Sequence, residues 1–192
     1  TSGLVTTEAL ATATFTVRLA TQPTAAVSFA LSSSNLAEGT VSPASLFFGA
    51  AATGTGSGLD AANLRLWSNA ATVTVTGVDE LIDDGDTAYS IVTAAASSAD
   101  TGYNALNPSD VSVTNTDNDT AGATIVQSGG TTTATEGGAT DTYTIVLNSQ
   151  PTSAVSMTLT GSQVTPSSTS LFFAASAIGT GDGSTLANAR LW

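Results

Sequence analysis

The chain repeats itself at a distance that tandem domains produce. Phe15-Thr-Val-Arg-Leu19 returns as Tyr143-Thr-Ile-Val-Leu147, and Gln22-Pro23-Thr24 as Gln150-Pro151-Thr152, each 128 residues later. Thr7-Glu8 returns at the same spacing as Thr135-Glu136. Further along, Ser45-Leu-Phe-Phe48 matches Ser170-Leu-Phe-Phe173, and Leu66-Trp67 matches Leu191-Trp192, now 125 residues apart. The offset changes between Leu31 and Ser45, where the second copy is three residues shorter. Solenoid turns recur every ~20–50 residues, so this longer period predicts two domains, 1–118 and 119–192. The alignment leaves the first copy without its opening strand. It makes the second copy the N-terminal half of a domain, whose remainder is expected either beyond Trp192 or from another chain.

Within each copy the pattern is that of short strands. Thr12–Leu19 places Phe15, Val17 and Leu19 on one face, and Ala26–Leu31 does the same with Val27, Phe29 and Leu31. Ser45–Phe48, Thr72–Val78, Ala88–Val92 and Asp110–Thr116 follow, the last with Val111 and Val113 inward. The second copy offers Ala121–Val126, Asp141–Leu147, Ala154–Leu159 and Leu171–Phe173. Alternation with period two is the mark of a half-buried strand. Turn residues separate the strands: Gln22-Pro23, Asn35 with Glu38-Gly39, Asp84-Gly85 and Asn107-Pro108. No stretch carries a helical period; Ala94–Ala99 is too short. The expected class is an all-β sandwich.

The acids are not spread evenly. Between the strand ending at Val78 and the one that resumes at Tyr89 lie Asp79, Glu80, Asp83, Asp84 and Asp86, with no Lys, Arg or His among them. Five carboxylates so close repel one another unless water or a cation screens them. One reading is a solvated acidic turn. The other is a cation site, and oxygen-only donors point to Ca²⁺ rather than to Zn²⁺ or copper.

Composition narrows the function classes. The chain has three Arg, no Lys, no His and no Cys against fifteen acids, a net charge of −12. Nucleic-acid affinity rests on Lys and Arg, so no nucleic-acid partner is expected, nor an anionic membrane. No apolar run reaches the ~20 residues of a membrane span. Without His, Cys or Lys the common bases, nucleophiles and Schiff-base formers are missing, and no second carboxylate pair is evident for glycosidase chemistry. The expectation is a protein that is not an enzyme. The acidic, Lys-free, Thr-rich surface leans towards an exported polymer or adhesin.

Gly49–Leu66, with its counterpart Ala174–Leu191, is an Ala- and Gly-rich insert between strands. It reads as a cover for the sandwich edge or a contact between molecules, while Gly56-x-Gly58-x-Asp60 weakly echoes a calcium nonapeptide repeat. Trp67 reads as an edge or core aromatic, with sugar stacking as the alternative. Asn118-Asp-Thr120 fits an N-glycosylation sequon, which would compete with metal binding.

Taken together, Glu8 early, VTGVDE-x-x-DDGD-x-x-Y mid-domain and the closing V-T-N-T-D-N-D make the chain similar to the Calx-beta domain. The likeness is greatest to the tandem versions in very large bacterial surface and secreted proteins. It covers 1–119 and, for the first half of the domain, 120–192, and it departs from the family at the Gly49–Leu66 insert. The resemblance implies an immunoglobulin-like antiparallel β-sandwich, repeated in tandem with the second copy truncated, that binds Ca²⁺ in loops near the domain junction. Carried over by position, the ligands would be Glu8, Asp79, Glu80, the carbonyl of Ile82, Asp84, Asp117, Asn118 and Asp119. Glu136 is the matching acid of the second copy. Asp83 and Asp86 either join the site or face solvent, while Asp100, Asp110 and Asp141 read as turn residues or strand caps.

The function expected is a non-catalytic structural or adhesive repeat of a large exported protein, stiffened by Ca²⁺ at the junction. It would lie outside the cell or on a bacterial surface. Its partners would be neighbouring repeats, copies of the same protein, or a cell-surface or matrix ligand. The competing expectation is the subunit of a self-assembling extracellular filament, completed by strands from a neighbouring chain.

Overall fold

The computed structural model describes residues 3–50, 56–175 and 181–192. These fall into two compact units, Thr1–Glu80 with Gly85–Asn118, and Leu81–Asp84 with Asp119–Trp192. Among the described residues the only helical pieces are 3₁₀ turns at Ser128–Gly130 and Leu186–Asn188. The protein is all-β.

The first unit is an immunoglobulin-like sandwich. Its strands are β1 (Leu4–Thr7), β2 (Thr12–Val17), β3 (Val27–Ser33), β4 (Gly39–Ser42), β5 (Ser45–Gly49), β6 (Arg65–Leu66), β7 (Ala71–Gly77), β8 (Thr87–Thr93), β9 (Ser97–Ser98) and β10 (Val111–Thr116). One sheet runs β1-β10-β8-β3-β5-β6, with β9 also paired to β3, and the other runs β2-β7-β4. The strands expected from alternation are present. Leu4–Thr7 and Gly39–Ser42 are strands that alternation does not announce, because each is four residues long and half polar.

Period two delivers the core. Val27, Phe29 and Leu31 of β3, Leu46 and Phe48 of β5, Ile91 of β8 and Val111 and Val113 of β10 share one cluster with Phe15 of β2 and Val73 and Val75 of β7. Phe29 and Phe48 meet edge to face, centroids 6.3 Å apart at 77°, the favoured arrangement for aromatic rings.

The insert between β5 and Trp67 is ordered over its described part, while 51–55 lie outside the described residues. Phe47 N–H donates to Gly58 O (2.8 Å) and Gly58 N–H to Asn63 O (2.7 Å). Gly58 sits at φ +77°, and a Cβ there would lie 2.7 Å from that of Arg65, so the turn requires glycine. Asp60 caps this loop by accepting Ala62 N–H and Asn63 N–H, an Asx turn that uses its carboxylate locally. The loop then returns as β6, parallel to β5. Trp67 packs against the core cluster.

The second unit holds two ribbons, β11 (Ala123–Gln127) with β12 (Tyr143–Leu147), and β13 (Val155–Thr158) with β14 (Ser170–Phe173). Ile145, Leu147 and Phe173 are its buried apolar residues, whereas Ile125, Val126, Tyr143 and Val146 stay exposed. It also contains Phe172 N–H donating to Gly183 O (2.9 Å), Gly183 N–H donating to Asn188 O (2.8 Å) and a parallel bridge from Phe173 to Arg190. Each lies 125 residues after its equivalent at Phe47, Gly58 and Phe48, and Gly183 has φ +76°. Residues 176–180 of its insert lie outside the described residues.

Phe48 is fully buried, so replacing it by Ala removes both transfer energy and ring contact. Phe48→Ala is expected to cost the first unit about 3–5 kcal/mol. Urea unfolding should show this as a lower midpoint with an unchanged slope.

Candidate metal centre

Strand pairing brings the first two acids together. β1 and β10 run parallel, with Thr7 opposite Thr116, so the next residues along are Glu8 and Asp117. Glu8 N–H continues the ladder by donating to Thr116 O (3.1 Å). A Glu8 carboxylate oxygen lies within 4.8 Å of one from Asp117, and likewise of one from Glu80. Glu80 arrives from the end of β7, so three chain segments supply acids at one pole of the first unit.

Glu8 is 2% exposed, unusual for a carboxylate without a charge partner. Its main hydrogen bond comes from Asn118 N–H to Oε2 (2.9 Å). Burial raises its pKa to about 7, the Asn118 N–H opposes the rise, and the neighbouring charges of Asp117 and Glu80 add to it. The charged groups acting on it are themselves acids. A buried acid among acids is costly to ionise unless a cation compensates.

Backbone donors hold the surrounding acids. Gly85 N–H donates to Asp117 Oδ2 (2.7 Å), and Asp117 N–H donates to Asp86 Oδ1 (3.2 Å). The Asn118 side-chain amide donates to Asp79 Oδ1 (3.4 Å), so Asn118 meets acids through both its nitrogens. Ile82, Asp83 and Asp84 belong to the second unit, where Asp83 Oδ2 accepts Ala121 N–H (2.7 Å) and Leu81 O accepts Gln150 N–H (2.6 Å). Asp119 is also in that unit. Asp83 and Asp86 are therefore hydrogen-bond acceptors for backbone rather than simply solvated.

The acids read as turn residues and caps behave so. Asp100 accepts Thr24 N–H and Gly102 N–H, Asp110 accepts Thr93 N–H, and Asp141 accepts Thr133 N–H and Thr142 N–H. Glu38 lies in the turn as read, its N–H donating to Asn35 O (3.3 Å), and is buried as well. Its carboxylate accepts from Asn115 Nδ2 (3.4 Å), and Gly39 beside it opens β4, where a Cβ would lie 2.1 Å from the Tyr89 hydroxyl. Sequence reasoning missed this buried polar layer of Thr6, Glu38, Tyr89 and Asn115. One signal was available: Val111, Val113 and Asn115 share the inward face of one strand.

These donors suit a hard cation. Two oxygens on one Ca²⁺, each at about 2.3–2.6 Å, can be at most ~5 Å apart, and the Glu8–Asp117 and Glu8–Glu80 pairs satisfy that limit. No nitrogen or sulfur ligand competes, since the chain has no His and no Cys.

No family model matches the chain, and no curated protein matches it. Among solved structures, SSP-19, an MSP-domain protein like family member in Caenorhabditis elegans, is similar over 59% of this chain and 92% of its own. The identity is 14% and the TM-score 0.36, a level at which the likeness carries no argument. No helix among the described residues is long and apolar enough to cross a membrane.

The raised Glu8 pKa sets a pH dependence. Folding tightens proton binding there, so the stabilisation is fully present below the ordinary 4.5 and is lost as pH rises through about 7. Asp60, Asp100, Asp141 and Asp182 are held low by hydrogen bonds and act only below that window. In calcium-stripped buffer the melting temperature of the first unit should fall between pH 5 and pH 8, and Glu8→Gln should flatten the fall. An equally steep decline in the variant would show that another group is responsible.

Proposed function

We propose that this chain is a non-catalytic, Ca²⁺-stiffened structural module of the Calx-beta type, built from two copies of one repeat in a long exported protein. The observation that carries the reading is Glu8, a buried carboxylate set between Asp117 and Glu80 where parallel strand ends meet. Asp79 and Asn118 complete the network around it. The repeat itself is supported by the hydrogen bonds that recur 125 residues apart around Gly58 and Gly183. The proposed setting is outside the cell or on its surface, with neighbouring repeats, copies of the protein or a matrix ligand as partners.

Ca²⁺ is preferred to Mg²⁺ because it accepts six to eight oxygens in flexible geometry, as acids from separate segments would provide. Bound metal would offset the repulsion among the acids and the cost of ionising buried Glu8. The module would then be rigid where calcium is abundant and looser where it is not.

A second reading is favoured by Ile125, Val126, Tyr143 and Val146, apolar residues left exposed on the β11–β12 ribbon. Strands from a neighbouring chain could cover that ribbon and build a filament. Sedimentation separates the two readings, because long polymers favour the filament and a monomer favours the spacer.

Calorimetric titration and thermal unfolding with Ca²⁺ or EGTA test the metal site directly. At a hundredfold excess over Kd, binding adds about 2.7 kcal/mol, roughly 10 °C for a domain of this size. The double variant Glu8→Gln/Asp117→Asn should lose the gain. An unsubstituted chain whose melting is indifferent to Ca²⁺ would sink the site and leave the acids as a solvated pole.

A further inference from the structure

The acids stand on a buried polar layer whose centre is Asn115, 1% exposed among the valines of β10. We propose that Asn115 is a positioning residue: its side-chain amide fixes the spacing of the three segments that carry Glu8, Glu80 and Asp117. This inference rests on the calcium reading above.

The amide reaches each segment. Asn115 Oδ1 accepts from Thr6 Oγ1 (2.9 Å) on β1, and Asn115 Nδ2 donates to Val78 O (3.1 Å), just beyond β7. Asn115 is itself on β10. Every one of these anchors lies two residues before an acid: Thr6 before Glu8, Val78 before Glu80, Asn115 before Asp117. Thr6 and Asn115 lie on strands whose next two residues lead to Glu8 and Asp117, and the Val78 carbonyl lies just beyond β7 on the way to Glu80, so each bond ties the strand end from which an acid departs.

Two further contacts make the layer rigid. Tyr89 OH meets Thr6 Oγ1 (3.1 Å), and Asn115 Nδ2 also donates to Glu38 Oε2 (3.4 Å). Gly77 closes β7 with no room to spare, since a Cβ there would lie 2.3 Å from Thr7 O and 2.6 Å from Asn115 Oδ1. An apolar residue at 115 would continue the run of Val111 and Val113 and fill the core without polar partners. It would also leave the Thr6 hydroxyl, the Val78 carbonyl and the Glu38 carboxylate without their partner at 115, so such a variant should melt lower. What a valine or leucine could not do is hold a β1 hydroxyl and a β7-end carbonyl at once. The layer relates to the acids as hydrogen-bonded supports relate to metal ligands, and losing such a support typically weakens metal binding by ~10–100-fold.

The test is Ca²⁺ titration calorimetry on the whole chain, with amide NMR spectra to confirm folding. Asn115→Leu should bind Ca²⁺ ~10–100-fold more weakly while keeping a folded spectrum. Thr6→Val, nearly isosteric, removes one anchor and should weaken binding by ~10-fold, whereas Thr6→Ser keeps the hydroxyl and should restore it. Phe48→Leu perturbs the apolar core of the same unit and changes no member of the polar layer. It should lower the melting temperature with affinity within about threefold, a split that a purely structural role for the layer would not produce. If Asn115→Leu does not fold, the Thr6 pair decides. Wild-type affinity in a folded Thr6→Val or Asn115→Leu chain overturns the inference while leaving the calcium site intact. Failure of the unsubstituted chain to bind Ca²⁺ overturns the calcium reading and this inference with it.

Discussion

Parallel pairing of β1 with β10 is the constraint from which the acidic pole follows. Parallel neighbours keep their residues in step, so strands that end together deliver their next residues together. Here those residues are Glu8 and Asp117, two like charges side by side, an arrangement that ordinarily destabilises a sheet. The sheet cannot slide to relieve it. A slip of one residue would turn Leu4, Thr6 and the valines of β10 to the wrong face, and the core that depends on Val111 and Val113 would be lost. The fold therefore imposes the repulsion on a carboxylate whose burial, with the charge of Asp117 added, raises its pKa to about 7; on the reading proposed above, a shared cation relieves both.

Much of the sandwich was legible in the sequence because its longer strands alternate cleanly. Thr72–Val78 places Val73 and Val75 inward as their spacing requires, and β3 and β10 follow the same rule. The short strands were not legible. Leu4–Thr7 and Gly39–Ser42 owe their extended form to neighbours far along the chain, β10 for the first and β7 for the second. No local window of four residues contains that information. The insert was half legible: its glycines announced turns, but the return of Arg65–Leu66 alongside β5 is set by packing.

The acids show the same division. The loop from Asp79 to Asp86 stood out by charge density, whereas the supporting layer did not, because Thr6, Glu38 and Asn115 each resemble ordinary turn or surface residues. Their meaning appears only when period two is read strictly. Thr6 and Asn115 then fall on inward faces, where a polar side chain needs a partner. The structure supplies those partners across the sandwich, Thr6 and Asn115 bonding one another although 109 residues apart.

That separation also explains why a cation at this pole would be effective. Local pieces such as the Gly58–Asn63 turn close cheaply, since few residues must be ordered to form them. Joining β1 to β10 closes nearly the whole first unit, and loop-closure entropy grows with the logarithm of the length closed. A metal ion bridging Glu8 and Asp117 would bind only where that closure is already made, since in the unfolded chain the two acids are ~100 residues apart, and it would stabilise the folded unit by mass action. The same ion would relieve the repulsion that parallel pairing creates. Closure entropy and charge thus favour one location for a clamp, the place where the first strand of the unit meets the last.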